Sequence, residues 1–438
     1  QWRNKCLNDT YEPGSTYKIL TLSMALEEGV VNKNSSFHCS GSVRVKGVTK
    51  PINCSNHAGH GTQDLATATA NSCNPAFISM GYKIGSDTYY NYLEDFGLFE
   101  PTGVDLPGEA SGLFTDRKTF NSAEVYVACY SFGQTCTVTP LQLITAQAAC
   151  INGGYLHTPY VVEQVKDQNG NIISQHDSTP VRQVISEETS ATVREILENV
   201  VANGTGRNGQ VAGYRIGGKT GTADKTGTVT TENPKGDVVV SFLCFAPADD
   251  PQVIMLLTLD TPSRDTGTYV SGGQMVAPTA SAIMSEILPY LGVEPQYTTD
   301  ELLGSDATVP NVVGLTKEGA AERLKEYGFV NYRTVGDGET VTDQTPVGGA
   351  IVPSNAEIIL YMGEQKSTDL RTVPNVVGLS ASEANKRLTE AGLIMKVSGA
   401  SNRNSSTVQA ISQDRPEGAQ VVAGTVVEVR FGDTSVRD

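Results

Sequence analysis

Ser15 and Lys18 stand three residues apart in Pro13-Gly14-Ser15-Thr16-Tyr17-Lys18, just ahead of an apolar run. At helical spacing, residues i and i+3 share a face. A serine hydroxyl is a weak nucleophile until a base removes its proton. Lysine becomes such a base once burial or nearby positive charge destabilises its ammonium. A helix start adds positive potential and free N–H groups beside Ser15. Alone, the pair reads equally well as an ordinary helix start with Ser near the cap. It is followed, however, by Ser72-Cys73-Asn74 and by Lys219-Thr220-Gly221-Thr222-Ala223. Ser-x-x-Lys, Ser-x-Asn and Lys-Thr-Gly, in that order on helix, loop and strand, form a set that supports acyl transfer through serine.

Cys39, Cys54, His60 and Cys73 form a second group, with Cys73 the middle residue of Ser-x-Asn. Three readings stand. Three thiolates and an imidazole suit a metal, Zn²⁺ first. A disulfide, Cys39–Cys54 or Cys54–Cys73, suits an oxidising exterior. Buried free thiols are the plain third option. The spacing is not that of a zinc finger. Cys129, Cys136, Cys150 and Cys244 lie in apolar context and read as core, and His38, His57, His157 and His176 show no partner pattern.

The elements that hold these residues follow from the rest of the chain. Its 438 residues suggest about three domains. Hydrophobic residues at 39% and charged residues at 18% are globular proportions. Lys and Arg total 32 against 48 Asp and Glu, a net charge of −16, which excludes nucleic acid as a partner because phosphate binding needs basic patches. No apolar run approaches the ~18–20 residues of a membrane span. The chain opens at Gln1 without Met or a signal sequence and reads as a fragment of a longer parent. Ser15–Glu28 reads as a helix stopped by Gly29, and Tyr214–Ala223 as a strand. Val238–Ala246 and Val253–Asp260 are apolar runs that read as neighbouring strands of a buried sheet. With helices at Ser186–Asn203 and Pro278–Tyr290, the pattern is α+β, a sheet covered by helices.

A repeat follows. Val309–Leu315 and Val373–Leu379 both read VPNVVGL. Each copy continues into a helical stretch, Thr316–Tyr327 or Ser380–Ala391, stopped by Gly328 or Gly392. A Pro turn follows (QTPVGG, QDRPEG), then a closing strand, Ala356–Met362 or Val426–Phe431. The second copy carries an expected loop at Ser398–Ser406. The expected organisation is a large domain over 1–292, a linker over 293–307, and modules over 308–364 and 372–433.

The two modules resemble PASTA domains, extracellular tandem modules found on penicillin-binding proteins and bacterial Ser/Thr kinases. The large domain resembles the transpeptidase domain of class B penicillin-binding proteins across residues 1–290. The resemblance rests on Trp2-Arg3-Asn4, YEPGSTYK (11–18), His60-Gly61, NSCNP (71–75), SFGQ (131–134), VTPLQL (138–143) and GGKTGTA (217–223). With the modules appended, the chain is similar to the division- and sporulation-type members. It departs from the family at Tyr17, where Phe is common, and at Cys73.

The resemblance implies a penicillin-binding/β-lactamase-like fold, an antiparallel sheet covered by helices, followed by two small α+β modules. It implies Ser15 as the acylated nucleophile, Lys18 as its base and Ser72 as a proton relay held by Lys18 and Lys219. Asn74 would bond the substrate's peptide chain, and Thr220 and Thr222 the donor's terminal carboxylate. Gly221 allows the backbone to pass close to the substrate. The N–H groups of Ser15 and Thr222 would form an oxyanion hole. The implied reaction is peptidoglycan D,D-transpeptidation of D-Ala-D-Ala stem peptides, with β-lactams as donor mimics. No cofactor is required for catalysis. A structural zinc at Cys39, Cys54, His60 and Cys73 would match the metal that some elongation-type relatives hold beside the active site. The implied partners are stem peptides, β-lactams and a membrane glycosyltransferase. The implied location is the extracytoplasmic face of a bacterial cell membrane, through an N-terminal helix absent from this sequence. A β-lactamase or D,D-carboxypeptidase would need a deacylating base, which no third motif supplies. A non-enzymatic wall-binding or β-lactam-sensing role is opposed by the intact catalytic set.

Overall fold

In the computed structural model, Gly14–Tyr17 forms a tight 3₁₀ turn that widens into helix α1 (Lys18–Glu27). One helix over Ser15–Glu28 was the expectation from spacing. The turn departs from it because Gly14, at φ 57°, gives its N–H to Gly133 O at 2.9 Å, outside any helical ladder. Lys18 to Ala25 are all buried, so α1 is a core helix rather than an amphipathic one. The structure describes residues 3–211, 213–231, 233–293, 306–329, 331–353, 356, 358–364, 370–400 and 407–436. Trp2, most of the expected 293–307 linker and positions 401–406 of the expected Ser398–Ser406 loop lie outside the described residues.

The chain divides into two compact units, one built from residues 1–209, 215–283 and 436–438, the other from 210–214 and 284–435. In the first, β1 (Ser36–Cys39) pairs antiparallel with β2 (Gly61–Asp64). Asp64 then caps α2 (Leu65–Ala70), its carboxylate accepting from Thr67 N. Asn74 opens α3 (Asn74–Ile84) with Pro75 in the first turn, so the Ser-x-Asn motif straddles a loop and a helix start rather than lying wholly in a loop. α4 (Pro140–Ile151) starts on a Thr139–Gln142 capping box, and α5 (Glu187–Asn203) on Ser186.

β3 (Gly217–Asp224), β4 (Val238–Ala246) and β5 (Val253–Asp260) form an antiparallel sheet in the order β5-β4-β3. All nine residues of the central strand β4 are buried, which is why its sequence is a continuous apolar run. α6 (Ala277–Tyr290) follows a π turn at Gly272–Val276. The α+β architecture, a sheet with helices against it, is the one the sequence predicts. Among the described residues, no helix is long and apolar enough to cross a membrane.

The second unit holds the repeat. β6 (Asp306–Thr308) begins inside the expected linker and pairs with β9 (Ile351–Pro353). α7 (Lys317–Glu326) is capped by Thr316. β7 (Tyr332–Val335) runs parallel, and β8 (Asp343–Thr345) antiparallel, to β10 (Ile358–Tyr361). The second copy repeats this arrangement with β11 (Leu370–Thr372), α8 (Ala381–Glu390), β12 (Ile394–Gly399), β13 (Val408–Gln413), β14 (Gln420–Val422) and β15 (Val426–Asp433). One glutamine per copy clamps the VPNVVGL segment. Gln344 Oε1 accepts from Val312 N at 2.8 Å while Nε2 donates to Pro310 O at 3.0 Å. Gln413 does the same to Val376 N at 2.8 Å and Pro374 O at 3.1 Å. Each is the Gln that opens the copy's Pro turn.

Candidate active site

The Gly14–Tyr17 turn that carries Ser15, the Ser-x-Asn turn and β3 bring their polar groups to one point. Lys18 Nζ donates to Ser72 O and Asn74 Oδ1, both at 2.7 Å, and lies within hydrogen-bond distance of the Ser15 hydroxyl at 3.0 Å and the Ser72 hydroxyl at 3.1 Å. Lys219 Nζ donates to the same Ser72 Oγ at 2.8 Å and to Thr220 O at 3.0 Å. Both lysines are buried. Ser15, Lys18, Ser72, Asn74 and Lys219 therefore form one hydrogen-bonded chain.

Local geometry explains each placement. Ser72 has φ 52°, a left-handed conformation that costs a non-glycine residue energy and marks a constrained site. It is held there by Ser72 N to Thr69 O and Cys73 N to Ala68 O, both 3.0 Å, at the end of α2. Asn74 Nδ2 donates to Asn53 O at 2.9 Å, which aims its carbonyl at Lys18. The Lys18 ammonium also lies over the Phe77 ring, 5.3 Å from its centroid.

Gly221 and Gly14 permit the close approach of β3 to the Gly14–Tyr17 turn. A Cβ on Gly221 would lie 2.5 Å from Ser241 Oγ and 3.0 Å from Thr16 Cγ2; one on Gly14 would lie 2.8 Å from Thr222 O. The Thr220 hydroxyl is buried and donates to Thr205 Oγ1 at 2.7 Å. The Thr222 hydroxyl is buried without a partner among the described residues.

The four-residue cluster gathers as well. One ligand atom from each of Cys39, Cys54, His60 and Cys73 lies within 4.8 Å of the others. Cys39 ends β1, Cys54 follows the short strand Ile52–Asn53, His60 precedes β2 and Cys73 caps α3. The loops meet tightly: a Cβ on Gly59, at φ 88°, would lie 2.5 Å from Cys39 O. The Cys54 thiol is pulled down to about 4 by its hydrogen bond with Cys73, with further help from the Asn56 and Asn74 backbone N–H groups and from His60. Cys73 is pushed up by the same bond and by burial. The shared hydrogen bond favours the thiolate on the Cys54 side of the pair, the form that binds metal. All eight cysteines are free thiols.

Two residues of the site carried no motif. Thr205, in Asn203-Gly204-Thr205-Gly206, meets Thr220 from the end of α5 and offers no pattern to read. Gln147 reaches the Gly14–Tyr17 turn from α4; its only signal is a lone amide inside the apolar ITAQAAC stretch.

Residues 1–285 match the family described as the penicillin binding protein transpeptidase domain, and residues 307–364 and 371–433 each match the PASTA domain. The chain is 39% identical over 372 residues to Stage V sporulation protein D of Bacillus subtilis (strain 168), covering 83% of this chain and 55% of that protein. It is 29% identical over 307 residues to peptidoglycan D,D-transpeptidase FtsI of Escherichia coli (strain K12), covering 68% and 47%. Among solved structures it resembles penicillin binding protein 3 from Mycobacterium tuberculosis complexed with ampicillin, with a TM-score of 0.61 and 26% identity over 68% of this chain and 66% of that one. The chain spans about half the length of the curated relatives it matches.

Proposed function

Because the chain belongs to the penicillin-binding protein transpeptidase family and carries two PASTA domains, we propose that it is a peptidoglycan D,D-transpeptidase of the division or sporulation type. It acts at the extracytoplasmic face of a bacterial cell membrane, beside a membrane glycosyltransferase that supplies the glycan strands. The observation that carries this reading is the set of bonds around Lys18. Ser72 O and Asn74 Oδ1 can only accept, so they take both protons of a neutral Lys18 amine. The remaining lone pair is then open to the two hydroxyls beside it, Ser15 Oγ at 3.0 Å and Ser72 Oγ at 3.1 Å, and can take the proton of Ser15.

Ser15 Oγ attacks the penultimate D-Ala carbonyl and passes its proton to Lys18. The N–H groups of Ser15 and Thr222 hold the developing oxyanion. The C–N bond breaks, and the departing D-Ala amine takes its proton through Ser72, which lies between Lys18 and Lys219. Lys219 and the unpartnered Thr222 hydroxyl suit the donor's terminal carboxylate, and Thr220 joins them by giving up its bond to Thr205. Asn74 bonds the donor's peptide chain. The amine of a second stem peptide then attacks the Ser15 ester and gives a proton to Lys18; the ester C–Oγ bond breaks as Lys18 returns a proton to Ser15 Oγ, which forms the cross-link and frees Ser15. A β-lactam stops at the ester.

Intact mass followed over hours with benzylpenicillin tests this. A long-lived adduct on the wild type and none on Ser15→Ala is the expected outcome. An adduct that clears quickly would make the protein a hydrolase instead. No adduct at all would overturn the acyl-transfer reading.

We also propose a structural Zn²⁺ on Cys39, Cys54, His60 and Cys73. Tetrahedral zinc, with S at about 2.3 Å and N at about 2.0–2.1 Å, places neighbouring S and N atoms about 3.5 Å apart. Cys54 Sγ and His60 Nδ1 are 3.6 Å apart. The ion would tie Cys73, and so the Ser72–Asn74 turn, to the β1–β2 loops; no chemical step passes through it. One zinc per chain after dialysis supports this. A metal-free chain lighter by two hydrogens overturns it in favour of a disulfide.

A further inference from the structure

We infer that Gln147 is a positioning residue for the nucleophile turn, an assignment that rests on the acyl-transfer reading of Ser15. Gln147 lies in α4 and is fully buried. Its Nε2 donates to Thr16 O at 2.8 Å, across 131 residues of chain. Its Oε1 is buried and accepts no hydrogen bond among the described residues. The amide's orientation is dictated by chemistry, since the reverse would set its oxygen against the Thr16 carbonyl.

Thr16 directly follows Ser15, in the turn that becomes α1. At that junction the Lys18 N–H is shared between Ser15 O and Thr16 O. The Thr16 carbonyl therefore takes a well-aimed donor from outside the helix. The rest of Thr16 is also pinned: its hydroxyl donates to Pro13 O at 2.9 Å, and its methyl faces the open side of Gly221. The Gln147 amide is the third support, and it sets the peptide plane between Ser15 and Lys18. That plane governs how Ser15 Oγ meets Lys18 Nζ at 3.0 Å.

A purely structural role would favour another residue type here. Ala146, Ala149 and Cys150 beside it in α4 are all buried and apolar. An unbranched apolar side chain would fill the same volume without stranding an acceptor, and a half-satisfied buried amide is a poorer packing choice than an apolar group. Gln147 gives up packing quality for one aimed N–H at the turn that carries the nucleophile. Reacting groups misplaced by about 1 Å lose rate by up to about 100-fold, so such a support acts on rate rather than on binding.

The test is stopped-flow acylation by benzylpenicillin, separating the binding constant from the acylation rate constant, with melting temperature measured alongside. Gln147→Met should melt at or above the wild-type temperature, bind within twofold, and acylate at least about tenfold more slowly. Gln147→Glu, whose buried carboxyl donates to Thr16 O when protonated, should acylate within about threefold of wild type at pH 5.5. It should lose that rate, relative to wild type, as the pH is raised. A wild-type acylation rate in Gln147→Met, or a loss confined to binding, overturns the assignment. If Gln147→Met does not fold, the Glu variant decides: a pH profile parallel to wild type overturns the assignment. A wild-type chain that forms no Ser15 adduct sinks the acyl-transfer reading and this assignment together, whereas wild-type acylation with an unaffected Gln147→Met sinks only this one.

Discussion

Lys219 and Lys18 share one oxygen: their Nζ atoms lie 2.8 Å and 3.1 Å from Ser72 Oγ. The lysines come from a β-strand and a helix far apart in sequence, and a serine in a left-handed conformation joins them. The catalytic proposal turns on this bridge.

Ser72→Ala removes the bridge but keeps the backbone strain. Acylation by benzylpenicillin should fall by about 10²–10⁴-fold, the range for losing a positioned proton-transfer group. Ser72→Gly should be equally slow yet more stable than Ser72→Ala by about 1 kcal/mol, because glycine takes φ 52° without steric cost. Chemical denaturation of both variants checks this, and equal stabilities would contradict the strain argument.

Gly221→Ala places a methyl 2.5 Å from Ser241 Oγ and 3.0 Å from Thr16 Cγ2. A cost of about 1–3 kcal/mol is expected, with loss of acylation as β3 moves off the nucleophile turn. Adding Ser241→Ala should recover part of the stability, since it removes the nearest atom. Urea unfolding of the single and double variants measures this; no recovery would place the strain at Thr16 alone.

Gln344→Leu leaves Val312 N and Pro310 O without their side-chain partner in the first PASTA domain. A loss of about 1–3 kcal/mol in that domain is expected. Gln413→Leu should do the same to the second, where the bonds are equivalent. Hydrogen exchange at Val312 and Val376 reads each domain separately. Unchanged protection at Val312 in Gln344→Leu would refute the clamp.

Acid should loosen the start of α5. Burial acts to raise the Glu27 carboxyl, but hydrogen bonds with Thr189 and with the Ser186 N–H and hydroxyl outweigh it, and the group sits below its ordinary value of 4.5. The unfolded chain therefore binds more protons than the folded one between those two values, so stability rises with pH there. The contribution is complete above 4.5 and is lost as pH falls through the lower folded value. Glu27→Gln should flatten the acid limb of a stability–pH curve, and an unchanged limb would remove Glu27 as its source.

The Ser-x-x-Lys, Ser-x-Asn and Lys-Thr-Gly grouping was legible because its pattern is local to short motifs. Ser15 and Lys18 meet through three residues of helical turn, a relation that spacing alone specifies. The buried strand β4 and the repeated helices were legible for a similar reason, since apolar runs, caps and stop glycines act within a few residues, whereas β5, read as buried from its apolar run, is half-buried to exposed because it edges the sheet. Helix ends were less so. The 3₁₀ turn at Gly14–Tyr17 depends on Gly133 accepting the Gly14 N–H, a bond from a distant segment.

Residue types and their order by themselves determined which side chains are candidates for the chemistry and that two PASTA domains follow. Tertiary structure alone decided which groups hold them in place. Thr205 reaches Thr220 from the turn after α5, and Gln147 reaches Thr16 from a helix whose own sequence periodicity points only to burial. The same holds for the cysteines: Cys54 and His60 lie close in sequence, but closure with Cys39 and Cys73 requires β1, β2 and α3 to pack first. Periodicity encodes which face of an element is buried, whereas a hydrogen bond between elements depends on their relative placement, which the packing of the whole core sets.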